Sequence, residues 1–240
     1  MKTNIFYTAF AFILISFFNC SNKDEITETP SIPDMPDYSK KWDFNNLNGW
    51  VDGSQNMNGT INYSIDKGIL KIFTRQNAWD RPKVRTENKI YKTGTYTWKV
   101  FIPPMGKGDM ASLGAFLYCD DKHELDFEIG YGKESVRNEL NAKDDDLIVY
   151  MTSQDNPFKS IQKKIKCNKW YSLQIDLTLS NNKYIAKWYI DEKEVNTLNL
   201  NYGTDFSFYI FCSMENLKFM GDHIPKQENY GLFDYVEVSQ

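Results

Sequence analysis

The sequence predicts an all-β fold, an antiparallel β-sandwich or jelly roll. Many short runs of β-branched and aromatic residues are separated by Gly, Asn and Asp, which is typical of strands joined by turns. Aromatic residues make up 15% of the chain, a share that suits strands and also sugar-binding clefts, where flat rings stack on pyranose faces. No internal repeat and no long helical pattern is present, and only the segment 133–143 is expected to hold a short helix.

Each predicted strand is a run of apolar or alternating residues of ordinary strand length. The predicted strands are 68–73, 94–102, 113–118, 124–129, 147–152, 170–177, 184–190, 206–212 and 232–238. No linker interrupts this series, so residues 40–240 are expected to form one domain, a normal size for a β-sandwich.

The amino-terminal segment is typical of an export signal and is not counted as part of the fold. Lys2 supplies a positive charge, and the apolar run 5–18 is too short for a comfortable membrane span. Because the run ends at Cys20 in a segment that resembles a bacterial lipobox, residues 1–19 are predicted to be a signal peptide and Cys20 the lipidated first residue. A simple signal peptide that is cut elsewhere is the alternative. The polar, proline-bearing residues 20–39 resemble the tethers of Bacteroidetes lipoproteins, which places the protein in the cell envelope, anchored in the outer membrane.

The net charge and the cysteines limit which partners and cofactors are expected. A net charge of −4 leaves no basic surplus for a phosphate backbone, so nucleic acid is not an expected partner. Lipidation of Cys20 leaves Cys119, Cys167 and Cys212, an odd number that allows at most one disulfide. Cys119 and Cys212 lie in apolar runs and are expected to be buried free thiols. No Cys or His spacing fits zinc, so neither a catalytic metal nor a required cofactor is predicted.

The most informative segment is His-Glu-Leu-Asp-Phe-Glu-Ile at residues 123–129. In a strand, residues two apart share a face, so Glu124, Asp126 and Glu128 point one way and the apolar residues between them point into the core. A solvated outer strand face is one explanation for this alternation. The other is chemical, because crowded carboxyl groups separate their pKa values and leave one ionised as a nucleophile and another protonated as an acid. Glycoside cleavage needs that combination.

This strand and its flanking segments resemble glycoside hydrolase family 16, the concanavalin A-like jelly-roll endo-glycosidases. The residues that carry the resemblance are the Glu-x-Asp-x-Glu strand at 124–128, the Trp-Tyr-Ile-Asp run at 188–191 and the Asp-Tyr-Val-Glu-Val run at 234–238. They follow the order of the family across about residues 42–240. The resemblance therefore implies a sandwich with a concave substrate cleft.

The resemblance also implies a role for each acid. Glu124 would be the nucleophile, Asp126 the helper that hydrogen-bonds to it, and Glu128 the general acid/base of a retaining, monomeric endo-glycosidase that hydrolyses a polysaccharide. The family commonly has tryptophans where this chain has Leu113 and Leu117, so a stacking platform near the scissile bond is expected to be missing. That loss favours the alternative of a non-catalytic carbohydrate-binding surface lipoprotein. A structural lipoprotein without a ligand is a further alternative.

Four residues are candidate substrate contacts. Trp79 and Arg81 lie in a polar loop, where Trp79 is either a sugar platform or an anchor packed on the sandwich. Arg85 would donate to sugar hydroxyls or to an anionic group, or instead form a salt bridge with Glu87. Tyr150 follows the acidic strand and is either a sugar contact or a cross-strand packing residue.

Two further expectations concern structure. Trp188 is expected in the core, since the Trp-Tyr-Ile run fits a buried hairpin strand. Family members often carry a structural calcium ion near the first and last strands, which implies a site near Asp43 and Asp234. A strand cap is the alternative role for Asp234.

Overall fold

The computed structural model describes residues 38–240, which contain fifteen strands and one short helix. The predicted signal peptide, Cys20 and nearly all of the predicted tether lie outside the described residues. The elements are β1 (Ser39–Trp42), β2 (Trp50–Asp52), β3 (Tyr63–Asp66), β4 (Ile69–Thr74), β5 (Lys83–Thr86), β6 (Gly94–Ile102), β7 (Ala111–Asp120), β8 (His123–Gly130), α1 (Glu134–Glu139), β9 (Asp146–Ser153), β10 (Lys159–Lys166), β11 (Lys169–Ser180), β12 (Lys183–Ile190), β13 (Lys193–Asn199), β14 (Tyr209–Asn216) and β15 (Asn229–Ser239). Within the part of the chain that is described, no helix has the length and hydropathy needed to cross a membrane.

The strands form two antiparallel sheets. The first sheet has the order β13-β12-β11-β6-β15-β4-β3, with β1 also pairing to β15. The second sheet has the order β10-β9-β8-β7-β14-β5-β2, so the acidic strand β8 lies near its middle. The predicted fold class, an antiparallel β-sandwich, is confirmed.

The core fills the space between the two sheets, and two tryptophans of the first sheet cross it. Trp98 on β6 and Trp188 on β12 are fully buried. The indole Nε1 of Trp98 donates to the carbonyl of Phe211 on β14 at 3.0 Å, and that of Trp188 donates to the carbonyl of Asp126 on β8 at 3.0 Å. These bonds satisfy the polar end of each large ring in an apolar interior. The expectation that Trp188 belongs to the core is confirmed.

Every predicted strand overlaps an observed one, but the run predicted at 206–212 is shifted to Tyr209–Asn216. The ring of Phe206 instead stacks on the imidazole of His123, with centroids 3.9 Å apart, in the turn before the strand. Strand β10 was not predicted, because its lysines interrupt any apolar pattern. It lies at the edge of the second sheet, where exposed lysines discourage pairing with another chain.

The two ends of the described chain lie together. Tyr38 and Gln240 exchange backbone hydrogen bonds of 3.0 and 2.7 Å, and β1 begins at Ser39, the last residue assigned to the tether. Cys119, Cys167 and Cys212 are all free, and the first and last of them are buried, as expected from their apolar runs.

Candidate active site

Strand β8 presents the three acids on the outer face of the second sheet. The residues between and after them, Leu125, Phe127 and Ile129, are fully buried in the core, as the period-two pattern predicts. Glu124 and Glu128 line a cavity of about 300 Å³ on that outer face, hereafter the first cavity. Asp126 lies between them and is only 1% exposed.

Small residues separate Glu128 from Lys83 across the second sheet. Glu128 pairs with Gly114 on β7, Gly114 pairs with Ser213 on β14, and Ser213 pairs with Lys83 on β5. A Cβ atom at Gly114 would lie 2.3 Å from the Ser213 Oγ atom, so a larger residue does not fit there. Glu128 and Lys83, at the two ends of this row, both line the first cavity.

An aromatic pair lies next to this row. Phe116 and Phe211 stack with their ring centroids 4.6 Å apart and line the first cavity. Leu113 and Leu117, in contrast, are fully buried in the core between the sheets. The leucines face away from the cavity, and the cavity-facing residue between them is Phe116, which is itself buried. The missing tryptophan platform and the sugar-binding alternative both stay predictions.

Burial raises the pKa values of all three acids. Burial raises the pKa of Glu124 to about 7, although a hydrogen bond from Asp126 opposes the rise. Burial first, and then the charges of Glu124 and Glu128, raise the pKa of Asp126 well above its usual value. Gln154 Nε2 donates to Asp126 Oδ2 at 2.8 Å. A protonated Asp126 can then donate a hydrogen bond to the Glu124 carboxylate, which favours the ionised form of Glu124.

The surroundings of Glu128 favour its protonated form. Burial raises its pKa well above the usual value, the charges of Glu124 and Glu215 raise it further, and Arg81 and Lys83 oppose them. The protonated form is the one that a general acid requires. Glu124 and Glu128 thus have different neighbours, since the hydrogen bond from Asp126 favours the ionised form of Glu124.

A buried ionic cluster lines the same cavity and was not predicted from the sequence. Glu215 on β14 is 4% exposed and accepts hydrogen bonds from Arg81 Nε and Lys83 Nζ, both at 2.6 Å. Lys83 is also buried. The available signals were a glutamate at the end of an apolar run and a lysine between Pro82 and a buried-type valine. Neither signal shows which strands become neighbours.

A second cavity, of about 370 Å³, adjoins the first on the β9 and β10 side. Glu128, Gln154 and Phe219 line both cavities, whereas Glu124 lines only the first. The second cavity is also lined by Tyr150, Thr152, Phe158, Ser160 and Gln162. Phe158 is 67% exposed and Phe219 is 41% exposed, so this cavity offers open aromatic rings beside hydroxyl and amide groups.

The predicted substrate contacts divide into two groups. Arg81 lines the first cavity and Tyr150 lines the second, where its ring packs edge-on against Phe219 at 5.3 Å. Trp79 is exposed but lies outside both cavities, with the Lys218 ammonium 5.7 Å from its ring.

Arg85 also lies outside both cavities. Its guanidinium covers the Tyr209 ring at 4.2 Å and donates to the carbonyls of Thr86 and Glu87 at 2.9 and 3.4 Å. The salt bridge to the Glu87 carboxylate, the alternative considered for Arg85, is not formed.

The predicted calcium site is not formed by clustered side chains. The Asp43 carboxylate accepts bonds from the backbone N–H and the side-chain amide of Asn45, at 3.3 and 2.6 Å. Asp234 lies on β15 at a register shift between Phe233 and Tyr235. Across residues 38–240, no three His, Cys, Asp or Glu side chains are grouped to hold a metal ion. Calcium binding stays a prediction.

Comparisons with known proteins agree on the fold. No protein-family profile matches the chain, and no curated protein matches it by sequence. The β-glucanase of Bacillus licheniformis is similar in structure, with a TM-score of 0.58 and 16% identity over 84% of this chain and 98% of that chain. The laminarinase catalytic domain of Thermotoga petrophila gives a TM-score of 0.59 and 14% identity over 85% and 96%.

A GH16 protein of Bacteroides ovatus, solved with a G4G4G3G product, gives a TM-score of 0.57 and 13% identity over 84% of this chain and 99% of that chain. These similarities extend over nearly the whole of each known domain, at identities that establish fold alone. The chain therefore has the jelly-roll fold of the family 16 glycoside hydrolases, as its sequence motifs indicated.

Proposed function

We propose that the protein is a family 16 glycoside hydrolase, a retaining endo-glycosidase that cleaves a polysaccharide. The observation that carries the proposal is the set of three acids on β8, two of which line one cavity, where burial raises the pKa of Glu124 to about 7 and that of Glu128 well above its usual value. Two carboxyl groups of separated pKa are what a double-displacement glycosidase requires.

In the proposed mechanism, the Glu124 carboxylate attacks the anomeric carbon of the sugar in the first cavity. Glu128 gives its proton to the glycosidic oxygen, so the leaving chain departs as a neutral alcohol. The ionised Glu128 then takes a proton from water, whose oxygen attacks the glycosyl ester and releases Glu124. Asp126, held by Gln154, donates to Glu124 and orients it throughout.

The two cavities support internal cleavage of a chain. Glu128 lines both cavities and Glu124 only the first, so the sugar that is attacked would lie in the first cavity and the leaving sugars in the second. Rings and hydroxyl groups on both sides of the cleavage point suit a polymer that continues in both directions. β-Glucan is the first substrate class to test, because the similar structures above are named as glucanases and laminarinases.

The test is to incubate residues 38–240 with plant, algal and fungal polysaccharides and to measure new reducing ends, with Glu128→Gln as the inactive control. NMR of the first-formed product should show that the anomeric configuration of the substrate is retained. An inverted product would contradict Glu124 as the nucleophile. Turnover equal to that of the Glu128→Gln control on every glycan would contradict the enzymatic proposal itself.

We further propose that Cys20 anchors the protein in the outer membrane, on the sequence pattern alone. A lipid-modified cysteine with more than one acyl chain gives stable membrane attachment. Cys20→Ser should move the protein from the membrane fraction to the soluble fraction. Equal membrane retention of the variant would contradict lipid anchoring.

A further inference from the structure

The ionic cluster of Glu215, Lys83 and Arg81 lines the first cavity but has no place in the mechanism above. Burying one carboxylate and one ammonium is costly unless each is closely paired, and Glu215 is paired at 2.6 Å with both cations. Two positive charges thus face a single negative charge beside the nucleophile and the acid.

We propose that Glu215 is a positioning residue of the active site: it fixes Lys83 and Arg81 at the cavity wall and offsets their positive charges beside Glu128. This inference rests on the proposed function, because it assigns Glu215 a task in the glycosidase reaction.

The sheet register brings the cluster into line with the acid. Lys83 and Glu128 lie in one cross-strand row whose middle members are Gly114 and Ser213, and Glu215 lies two residues beyond Ser213 on the same face. The small residues in the middle of this row leave Lys83 and Glu128 lining the same cavity. In a partly buried site, charges interact more strongly than they do in water.

Titratable groups face Glu128 from the elements packed around it. The facing groups are Glu124 and Asp126 on β8, Tyr150 on β9, Glu215 on β14, Lys83 on β5 and Arg81 in the preceding loop. Glu215 favours the protonated form of Glu128, and the two cations favour the ionised form. Loss of Glu215 would leave both cations uncompensated, and the proton would leave Glu128 more easily. Loss of Lys83 would have the opposite effect.

The experiment compares Glu215→Gln with Lys83→Met. The first change should move the basic limb of the kcat/KM profile to lower pH, and the second should move it to higher pH. Carbon-13 NMR titration of the Glu128 carboxyl group, assigned by its loss in Glu128→Gln, should show the same opposite shifts in protein without substrate. Glu228→Gln is the matched control, since Glu228 pairs with Lys71 at 2.9 Å on the surface and lines neither cavity.

Shifts in the same direction in the two variants, or no shift beyond that of Glu228→Gln, would overturn the proposal. If Glu215→Gln does not fold, Lys83→Met still tests it, since an unchanged titration of Glu128 in that variant would also overturn it. The NMR titration needs no turnover, so its outcome is separate from whether the protein cleaves a glycan. If the role of the cluster were merely structural, the two variants would be less stable but the titration of Glu128 would not shift.

Discussion

The indole Nε1 of Trp188 donates a 3.0 Å hydrogen bond to the backbone carbonyl of Asp126. Trp188 lies on β12 of the first sheet and Asp126 on β8 of the second, so the bond crosses the core and holds the acidic strand from beneath. Both residues are almost completely buried. The middle acid of the site is therefore fixed by Gln154 through its side chain and by Trp188 through its backbone.

Trp188→Phe should lower both stability and turnover. The change removes the indole N–H that donates to the Asp126 carbonyl, and the loss of one such hydrogen bond costs about 0.5–1.5 kcal/mol in the free energy of unfolding. Small displacements of catalytic groups can reduce rates by up to about 100-fold, and β8 carries all three acids. Urea unfolding and kcat on the best glycan would measure the two effects.

Trp98→Phe is the matched control for that variant. It removes an equivalent bond to the carbonyl of Phe211 on β14, a strand that carries none of the three acids. Its stability loss should be similar and its effect on kcat smaller. A kcat loss in Trp98→Phe as large as that in Trp188→Phe would contradict a specific role for the bond to Asp126.

Substitution of the acids should separate their roles. Glu124→Ala should lose on the order of 10⁴-fold or more in kcat, and azide should restore turnover with an inverted glycosyl azide as product. Glu128→Ala should lose about 10²- to 10⁴-fold on polysaccharide, but should stay active on substrates with good leaving groups. Asp126→Asn should be impaired less than either, because an amide can still donate to Glu124. If all three variants keep most of their activity, the site lies elsewhere.

The sequence was sufficient to predict that the three acids share one face of β8, but it was not sufficient to predict the other residues of the site. Period-two alternation places Glu124, Asp126 and Glu128 together whatever the rest of the fold does. Glu215 and Lys83 join them through the register of β14 and β5, which depends on packing between segments distant in sequence. A residue pattern within one strand therefore could not predict the ionic cluster, which forms between strands.

The positions of Leu113 and Leu117 and the formation of strand β10 also depend on tertiary structure that the sequence pattern does not show. Sequence similarity alone placed Leu113 and Leu117 at the cavity, whereas the pleat of β7 turns them into the core and turns Phe116 outward. Strand β10 forms because its backbone pairs with β9 along eight residues, and its side chains contribute little apolar burial. Backbone pairing of this kind leaves only a weak pattern in the sequence.

Phe158→Ala should weaken binding of long substrates. The ring is 67% exposed in the second cavity, and covering an aromatic side chain contributes about 1.5–3 kcal/mol. KM for polysaccharide should therefore rise roughly 10- to 100-fold, while turnover of short substrates that end at the cleavage point should change little. Leu179→Ala, at an exposed residue of the other sheet, is the control. An equal rise in KM for short and long substrates would contradict a leaving-side role for Phe158.

The acids should also make stability depend on pH. The pKa of Glu124 rises from 4.5 to about 7 on folding, and that of Glu128 rises well above its usual value. The folded protein therefore binds more protons than the unfolded chain once the pH exceeds the unfolded pKa values. The free energy of unfolding contributed by these groups is at its largest below about pH 4.5 and falls as the pH rises towards about 7 and beyond.

Glu128→Gln should consequently be more stable than the wild type at pH 8 and equal to it at pH 4, although it is inactive. The amide keeps the shape of a protonated carboxyl group and has no proton to lose, so the cost of holding Glu128 neutral in the folded state disappears. Urea unfolding at the two pH values measures the difference, with Glu228→Gln as the exposed control that should match the wild type at both. A Glu128→Gln variant that is less stable than the wild type at pH 8 would show that the wild-type carboxyl is ionised there and stabilised by Lys83 and Arg81, and Glu128 could not then serve as the acid.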